Sequence, residues 1–143
     1  TVGAVAVPGW GTTWGTDPAP QRVPAGVEAG ETPRIVVSRS RSRFDGSRLQ
    51  AALGADIYTV GSAGVKAMAV VRGDVDAYVH GGGLYEWDSC APVAVARAAG
   101  LVCCRLDGSP LKFNKPDPWS PGLVISRPDL ADDICAVMGD RQP

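Results

Sequence analysis

Short β-branched runs alternate along this chain with longer stretches in which small and apolar residues recur at helical spacing. Residues 2–7 alternate Val and Ala around Gly3, and Pro8-Gly9 ends the run, which predicts a strand and a turn. Trp10 to Thr16 reads as the return strand of a hairpin, with Trp14 packed on it. Arg34–Val37, Ile57–Val60, Val75–Val79, Leu101–Arg105 and Leu123–Ser126 are short apolar runs and read as strands. Helical patterns cover 44–53 (Phe44, Leu49, Ala52 and Leu53 inward), 63–71, the small-residue run from Ala91 to Ala99, and 129–138. Residues 17–33 hold Pro18, Pro20, Pro24, Gly26 and Gly30 in a polar setting and read as an exposed connector. Strands alternating with helices from residue 34 onward predict an α/β fold, a sheet with helices on both faces.

The helix ends carry their own signals. Ser62 is a good N-cap for the helix from Ala63, which Gly73 ends. Asp88 or Ser89 falls where the N-cap of the next helix belongs, with Pro92 still in its first turn and Gly100 closing it. Pro128 opens the last helix, with Asp129, Asp132 and Asp133 near its positive end. Residues 111–122, rich in Lys and Pro, read as a loop in which Phe113 and Trp119 need packing partners.

Composition narrows the function classes. At 143 residues, 45% hydrophobic and 20% charged, the chain has room for one globular domain. A net charge of −1 gives no general case for binding nucleic acid or a membrane surface. No apolar run approaches the roughly 20 residues of a membrane span, and no signal-peptide pattern is visible. The four cysteines, Cys90, Cys103, Cys104 and Cys135, show no C-x-x-C spacing and no neighbouring His, which argues against zinc. They read as buried free thiols of a reducing compartment, with Cys103 and Cys104 on opposite faces of a strand.

Several positions can carry chemistry. The strand–Gly61-Ser62–helix arrangement aims backbone N–H groups beyond the strand end, where a phosphate would sit. Lys66 close behind the helix start opposes the helix dipole, so it is either an accident of the surface or a sign of an anionic ligand. The alternating Ser38-Arg39-Ser40-Arg41-Ser42-Arg43 reads as a solvated strand end and helix start, too short to favour a phosphorylation or RNA-binding tract. Asp88 can cap its helix, or hold a hard cation beside a phosphate at the same positive helix end. His80, the one histidine, ends a strand and is either structural or a contact. Glu86 either supports Asp88 from behind or is exposed.

Trp87-Asp88, followed by a small-residue helix and Ala98-Ala99-Gly100, resembles the C-terminal motif of the inositol monophosphatase-like, Mg2+-dependent phosphatases. Val60-Gly61-Ser62-Ala63-Gly64-Val65-Lys66 resembles their substrate-side Gly-Ser segment, with the Lys of the bisphosphate nucleotidases. Arg72-Gly73-Asp74-Val75-Asp76-Ala77-Tyr78 resembles the strand leading back to the Trp-Asp pair. Leu106 to Asn114 resembles the Gly-x-Pro-Leu-x-Tyr-Asn signature of the 3'(2'),5'-bisphosphate nucleotidases of CysQ type.

The resemblance implies the C-terminal half of the family's layered α/β fold. It implies a Mg2+-dependent phosphomonoesterase of the cytoplasm that removes the 3'-phosphate of 3'-phosphoadenosine 5'-phosphate in sulfur metabolism. Inositol monophosphatase and fructose-1,6-bisphosphatase are the alternatives; Lys66 argues against the inositol branch. Asp88 is implied as a metal ligand. Ser38, Arg39, Gly61, Ser62, Ala63 and Lys66 are implied on the substrate side. His80 stands where several relatives carry an Arg that touches the nucleotide, Arg41 replaces a family His, and Phe113 is the aromatic offered to the base. The family's upstream Gly-Asp-Glu-type and Asp-Pro-Leu/Ile-Asp-Gly-Thr segments have no counterpart here. The expectation is therefore that residues 1–143 are the C-terminal portion, without the N-terminal catalytic half, and are inactive alone. On that expectation the partners are the missing half, a small phosphorylated substrate and, compatibly, a second copy in a homodimer. As an isolated chain it would be a non-catalytic phosphate- or nucleotide-binding fragment.

Overall fold

A computed structural model describes residues 2–21, 30–39 and 46–139. The chain opens with a hairpin, β1 (Ala4–Val7) against β2 (Thr12–Gly15), and Trp10 meets Trp14 edge-on at 5.9 Å between ring centroids. There follow β3 (Arg34–Ser38), α1 (Ser47–Leu53), β4 (Asp56–Val60), α2 (Ala63–Arg72) and β5 (Ala77–His80). The second part contains β6 (Leu84–Tyr85), α3 (Glu86–Ala98), β7 (Val102–Cys104), β8 (Trp119–Ser120), β9 (Leu123–Ser126) and α4 (Pro128–Gly139).

Five strands make one sheet in the order β4-β3-β5-β9-β7. β3 is parallel to β4 and β5, while β9 runs antiparallel to both β5 and β7. The C-terminal ends of β3, β4, β5 and β7 therefore share one edge. Alternation along the strands sends Val36, Tyr78, Cys103 and Ile125 to one face, under α2 and α3. Ile35, Val37, Val79, Cys104 and Val124 go to the other, under Leu49 of α1 and Leu130, Ile134 and Met138 of α4. The expected α/β sheet with helices on both faces is what forms.

At the opposite edge Asp76 joins three elements. Its carboxylate accepts from the Arg34 N–H at 2.8 Å, the Arg34 guanidinium at 3.2 Å and Arg127 Nη1 at 2.9 Å. These contacts hold residues 74–76 in bends, so β5 begins at Ala77 and not at Val75.

Other expectations need correction. Ala52 is exposed and Leu53 half-buried, which leaves Leu49 to anchor α1; Phe44 lies outside the described residues. The loop 111–122 contains β8, which pairs with β6 in a two-residue ribbon. Cys90 is exposed, whereas Cys103 and Cys104 are buried. Among the described residues no helix is long and apolar enough to cross a membrane.

Candidate active site

Three strands deliver the candidate residues to one edge. Ser38 ends β3 opposite Val60, and His80 ends β5 one residue beyond the Val37–Val79 pair. Past Val60 the chain turns through Gly61-Ser62 into α2. The Ser62 hydroxyl accepts the Val65 N–H at 3.4 Å, so it is the N-cap the sequence predicts. Ser62 holds this turn at φ +63, a conformation a non-glycine residue adopts at a cost of about 1–3 kcal/mol. A Cβ on Gly61 would lie 3.5 Å from Arg39 Nη2, so the guanidinium sits over the turn. The structure thus brings Arg39, Gly61, Ser62 and Ala63 together at the start of α2.

Lys66 sits otherwise than a substrate-facing lysine would. It is 2% exposed, and its Nζ donates to Val60 O at 3.2 Å and Ser62 O at 3.0 Å. Burial lowers its pKa to about 8, so the ammonium keeps its proton at neutral pH and can serve both carbonyls. It also lies 5.2 Å from the centre of the Tyr78 ring. Its geometry is that of a clamp beneath the Gly-Ser turn. Lys66→Met should therefore lower stability by about 1.5–3 kcal/mol, the scale of hydrogen bonds to a charged group. Urea melts check this; unchanged stability would leave the Lys66 charge free for a ligand.

His80 is also 2% exposed and packs parallel to Tyr78, 6.3 Å between centroids. Burial, then the nearby Lys66 charge, lower its pKa to about 4 against the opposing pull of Asp88. It is a neutral, enclosed imidazole whose Nδ1 has no hydrogen-bond partner. Burial first, and Asp88 second, raise the Tyr78 phenol well above its ordinary range. The charge of Asp88 therefore reaches the end of β5 that Lys66 also faces.

α3 begins earlier than the sequence suggests, with its N-cap at Tyr85 and not at Asp88 or Ser89. Tyr85 leaves β6 in an extended conformation and is itself the N-cap. Asp88 is the third helical residue, and its Oδ2 accepts the Tyr85 N–H at 2.9 Å, tying the helix start backwards. Pro92 consequently lies inside the helix. Its missing N–H leaves the Asp88 carbonyl without the usual helical donor. The Asp88 residue is exposed. Glu86 ties the following loop to this helix start. It accepts the Asn114 N–H at 2.6 Å and the Lys115 N–H at 3.3 Å, and lies 3.8 Å from Lys115 Nζ.

Phe113 goes elsewhere. It packs on the core and lines a groove of about 560 Å3 with Thr16, Cys90, Val93, Ala94, Arg97 and Ala98, along the flank of α3. The aromatics beside Asp88 are instead Tyr85, Trp87 and Trp119, which sequence reasoning passed over as site residues. The Tyr85-x-Trp87 spacing around the acidic helix start was their only signal.

An exposed carboxylate at the positive end of α3 fits a hard cation as one oxygen ligand. Among the described residues, no group of three or more His, Cys, Asp or Glu is close enough together to hold a metal.

Over residues 11–140 the chain matches the inositol monophosphatase family. The chain belongs to that family. The 3'-phosphoadenosine 5'-phosphate phosphatase of Mycobacterium leprae (strain TN) is 48% identical over 119 residues, which is 81% of this chain and 44% of that protein. The protein of the same name from Mycobacterium tuberculosis (strain CDC 1551 / Oshkosh) is 44% identical over 142 residues, 98% of this chain and 52% of that protein. The crystal structure of CysQ from Bacteroides thetaiotaomicron, a bacterial family member, superposes with a TM-score of 0.58 at 27% identity, over 73% of this chain and 40% of that one. The chain spans about half the length of the curated relatives it matches.

Proposed function

We propose that this chain carries the phosphate-facing portion of a Mg2+-dependent phosphomonoesterase that removes the 3'-phosphate of 3'-phosphoadenosine 5'-phosphate. The observation that carries the reading is that two helix starts follow strands whose C-terminal ends share one sheet edge: the Gly61-Ser62-Ala63 turn of α2 follows β4, and Asp88 of α3 follows β5 by way of β6. The first offers backbone donors and the Arg39 charge to phosphate oxygens, with Ser38 at the neighbouring strand end. Lys66 fixes that turn from below. Glu86 fixes the 114–115 loop against the second. Asp88 would hold one cation, which when bound supplies positive charge to the phosphoryl oxygens and makes a water more acidic. The relatives' names support the nucleotide. The same reading takes the enzyme to be cytoplasmic and to serve sulfur metabolism, which suits four free cysteines.

One carboxylate is too few for a catalytic Mg2+ site, since the ion keeps its waters unless several anionic oxygens displace them. Residues 1–143 alone should therefore release no phosphate. Joined to an upstream segment of the kind the relatives possess, the chain should hydrolyse 3'-phosphoadenosine 5'-phosphate in preference to inositol 1-phosphate or fructose 1,6-bisphosphate. Colorimetric phosphate release decides both points. Preference for inositol phosphate would overturn the substrate, and full turnover by 1–143 alone would overturn the division of the site.

A further inference from the structure

Of the four most exposed aromatic rings in the described residues, three gather at one place. Tyr85, Trp87 and Trp119 are 43%, 64% and 44% exposed. Tyr85 and Trp87 are stacked with centroids 4.7 Å apart and ring planes only 6° from parallel. Trp119 is the cross-strand partner of Tyr85 in the β6–β8 ribbon. Beyond that stack most of the Trp87 surface stays exposed, so packing among the described residues does not explain its position.

The backbone beneath the stack is held on several sides. The Tyr85 N–H is bound by Asp88, the Glu86 N–H donates to Pro118 O at 2.9 Å, and Lys115 Nζ donates to Trp119 O at 2.6 Å. The rings are therefore presented rigidly, which lowers the entropy lost when a flat ligand settles on them. Their place in the chain sets the ligand's chemistry. Tyr85 and Trp87 flank Glu86, and the Tyr85 N–H is bound by Asp88, so a ligand stacked there has that carboxylate beside it for its polar end. A flat heteroaromatic ring joined to phosphate meets both requirements; a polyol phosphate meets only the second.

We infer that the Tyr85–Trp87 stack is the surface that receives the base of a phosphorylated nucleoside, and that it selects nucleotide over sugar phosphate. This rests on the phosphatase reading and supplies the aromatic contact that Phe113, turned into the flank of α3, does not make. The outer face of one ring takes the base, with Trp119 at the margin of the platform.

Calorimetry on the 143-residue chain tests it, with adenosine 3',5'-bisphosphate and inositol 1-phosphate as probes. The nucleotide should bind more tightly than the inositol ester. Trp87→Leu and Tyr85→Ser should each weaken nucleotide binding about 5- to 100-fold, the range for losing one base–aromatic stack, and leave inositol phosphate within about 2-fold. Trp87→Phe should retain most of the nucleotide affinity. Equal losses on both probes would reassign the rings to shaping the helix start and overturn the inference. So would unchanged nucleotide binding in both variants, in which case the phosphatase reading would survive. A wild type that binds inositol phosphate as tightly as nucleotide, or binds neither, would overturn that reading together with the platform.

Discussion

Replacing Asp76 by Asn is expected to cost about 3–5 kcal/mol of stability, the range for removing one partner of a buried ion pair. Asp76 is 2% exposed and bonded to two arginines. Asn leaves the oxygen geometry nearly intact, but it removes the negative charge that both guanidiniums face. Arg127 is the more enclosed of the two and its Nε already lacks a hydrogen-bond partner, so it would be stranded. Burial acts to raise the Asp76 pKa. The bonds from the Arg34 side chain and backbone, and then from Arg127, outweigh that and hold it below an ordinary carboxylate. Because the folded pKa is the lower one, the contribution of Asp76 is complete above the unfolded carboxylate range. It fades as pH falls through the folded value. Urea melts at neutral pH should therefore show the full difference between wild type and Asp76→Asn, with the gap closing in acid. A gap of less than about 1 kcal/mol at neutral pH would mean that the pair is replaceable by neutral hydrogen bonds.

The second large effect is on chemistry. Asp88→Asn should lower Mg2+-dependent phosphate release at least ~100-fold in the active form of the protein. Removing groups that merely orient a metal ligand already costs about 10–100-fold. The fold should survive, because the Asn oxygen can still accept the Tyr85 N–H that ties the start of α3. Circular dichroism and melting should match wild type within about 1 kcal/mol while turnover collapses. Raising Mg2+ should recover part of the loss, since a neutral oxygen still coordinates weakly. An Asp88→Asn protein with near-normal turnover would reduce Asp88 to a helix cap.

Much of the fold was legible because it rests on local patterns. Ile35, Val36 and Val37 are β-branched and short, and they form the parallel centre of the sheet. Gly73 and Ser62 delimit α2 where their chemistry requires. The candidate site was legible as far as it follows from helix starts. The rest depends on tertiary placement. The start of α3 was misread because its cap comes from the backbone of Tyr85, a residue without capping preference, and its acid stands at the third helical position. The β6–β8 ribbon is too short to carry any period. Lys66 reads from sequence as either a surface accident or a ligand contact, yet it interrupts a helix otherwise made of Ala, Gly, Val and Met up to its final Arg72. That composition already indicated a helix covered on most sides, and a lysine within one needs internal acceptors. The contact reading of His80 rests on the resemblance to relatives with an Arg there, whereas alternation along β5 turns it inward with Tyr78.

On the proposed reading, the edge formed by the ends of β3, β4 and β5 with the starts of α2 and α3 holds the metal and the substrate phosphate. The most direct measurement is paramagnetic broadening of amide signals by Mn2+, a Mg2+ substitute, added to the isotopically labelled chain with adenosine 3',5'-bisphosphate. Broadening should centre on Asp88 and reach Arg39, Ser62 and His80, and Asp88→Asn should remove it. Broadening centred instead on Asp129, Asp132 and Asp133 at the start of α4, undiminished in Asp88→Asn, would contradict it.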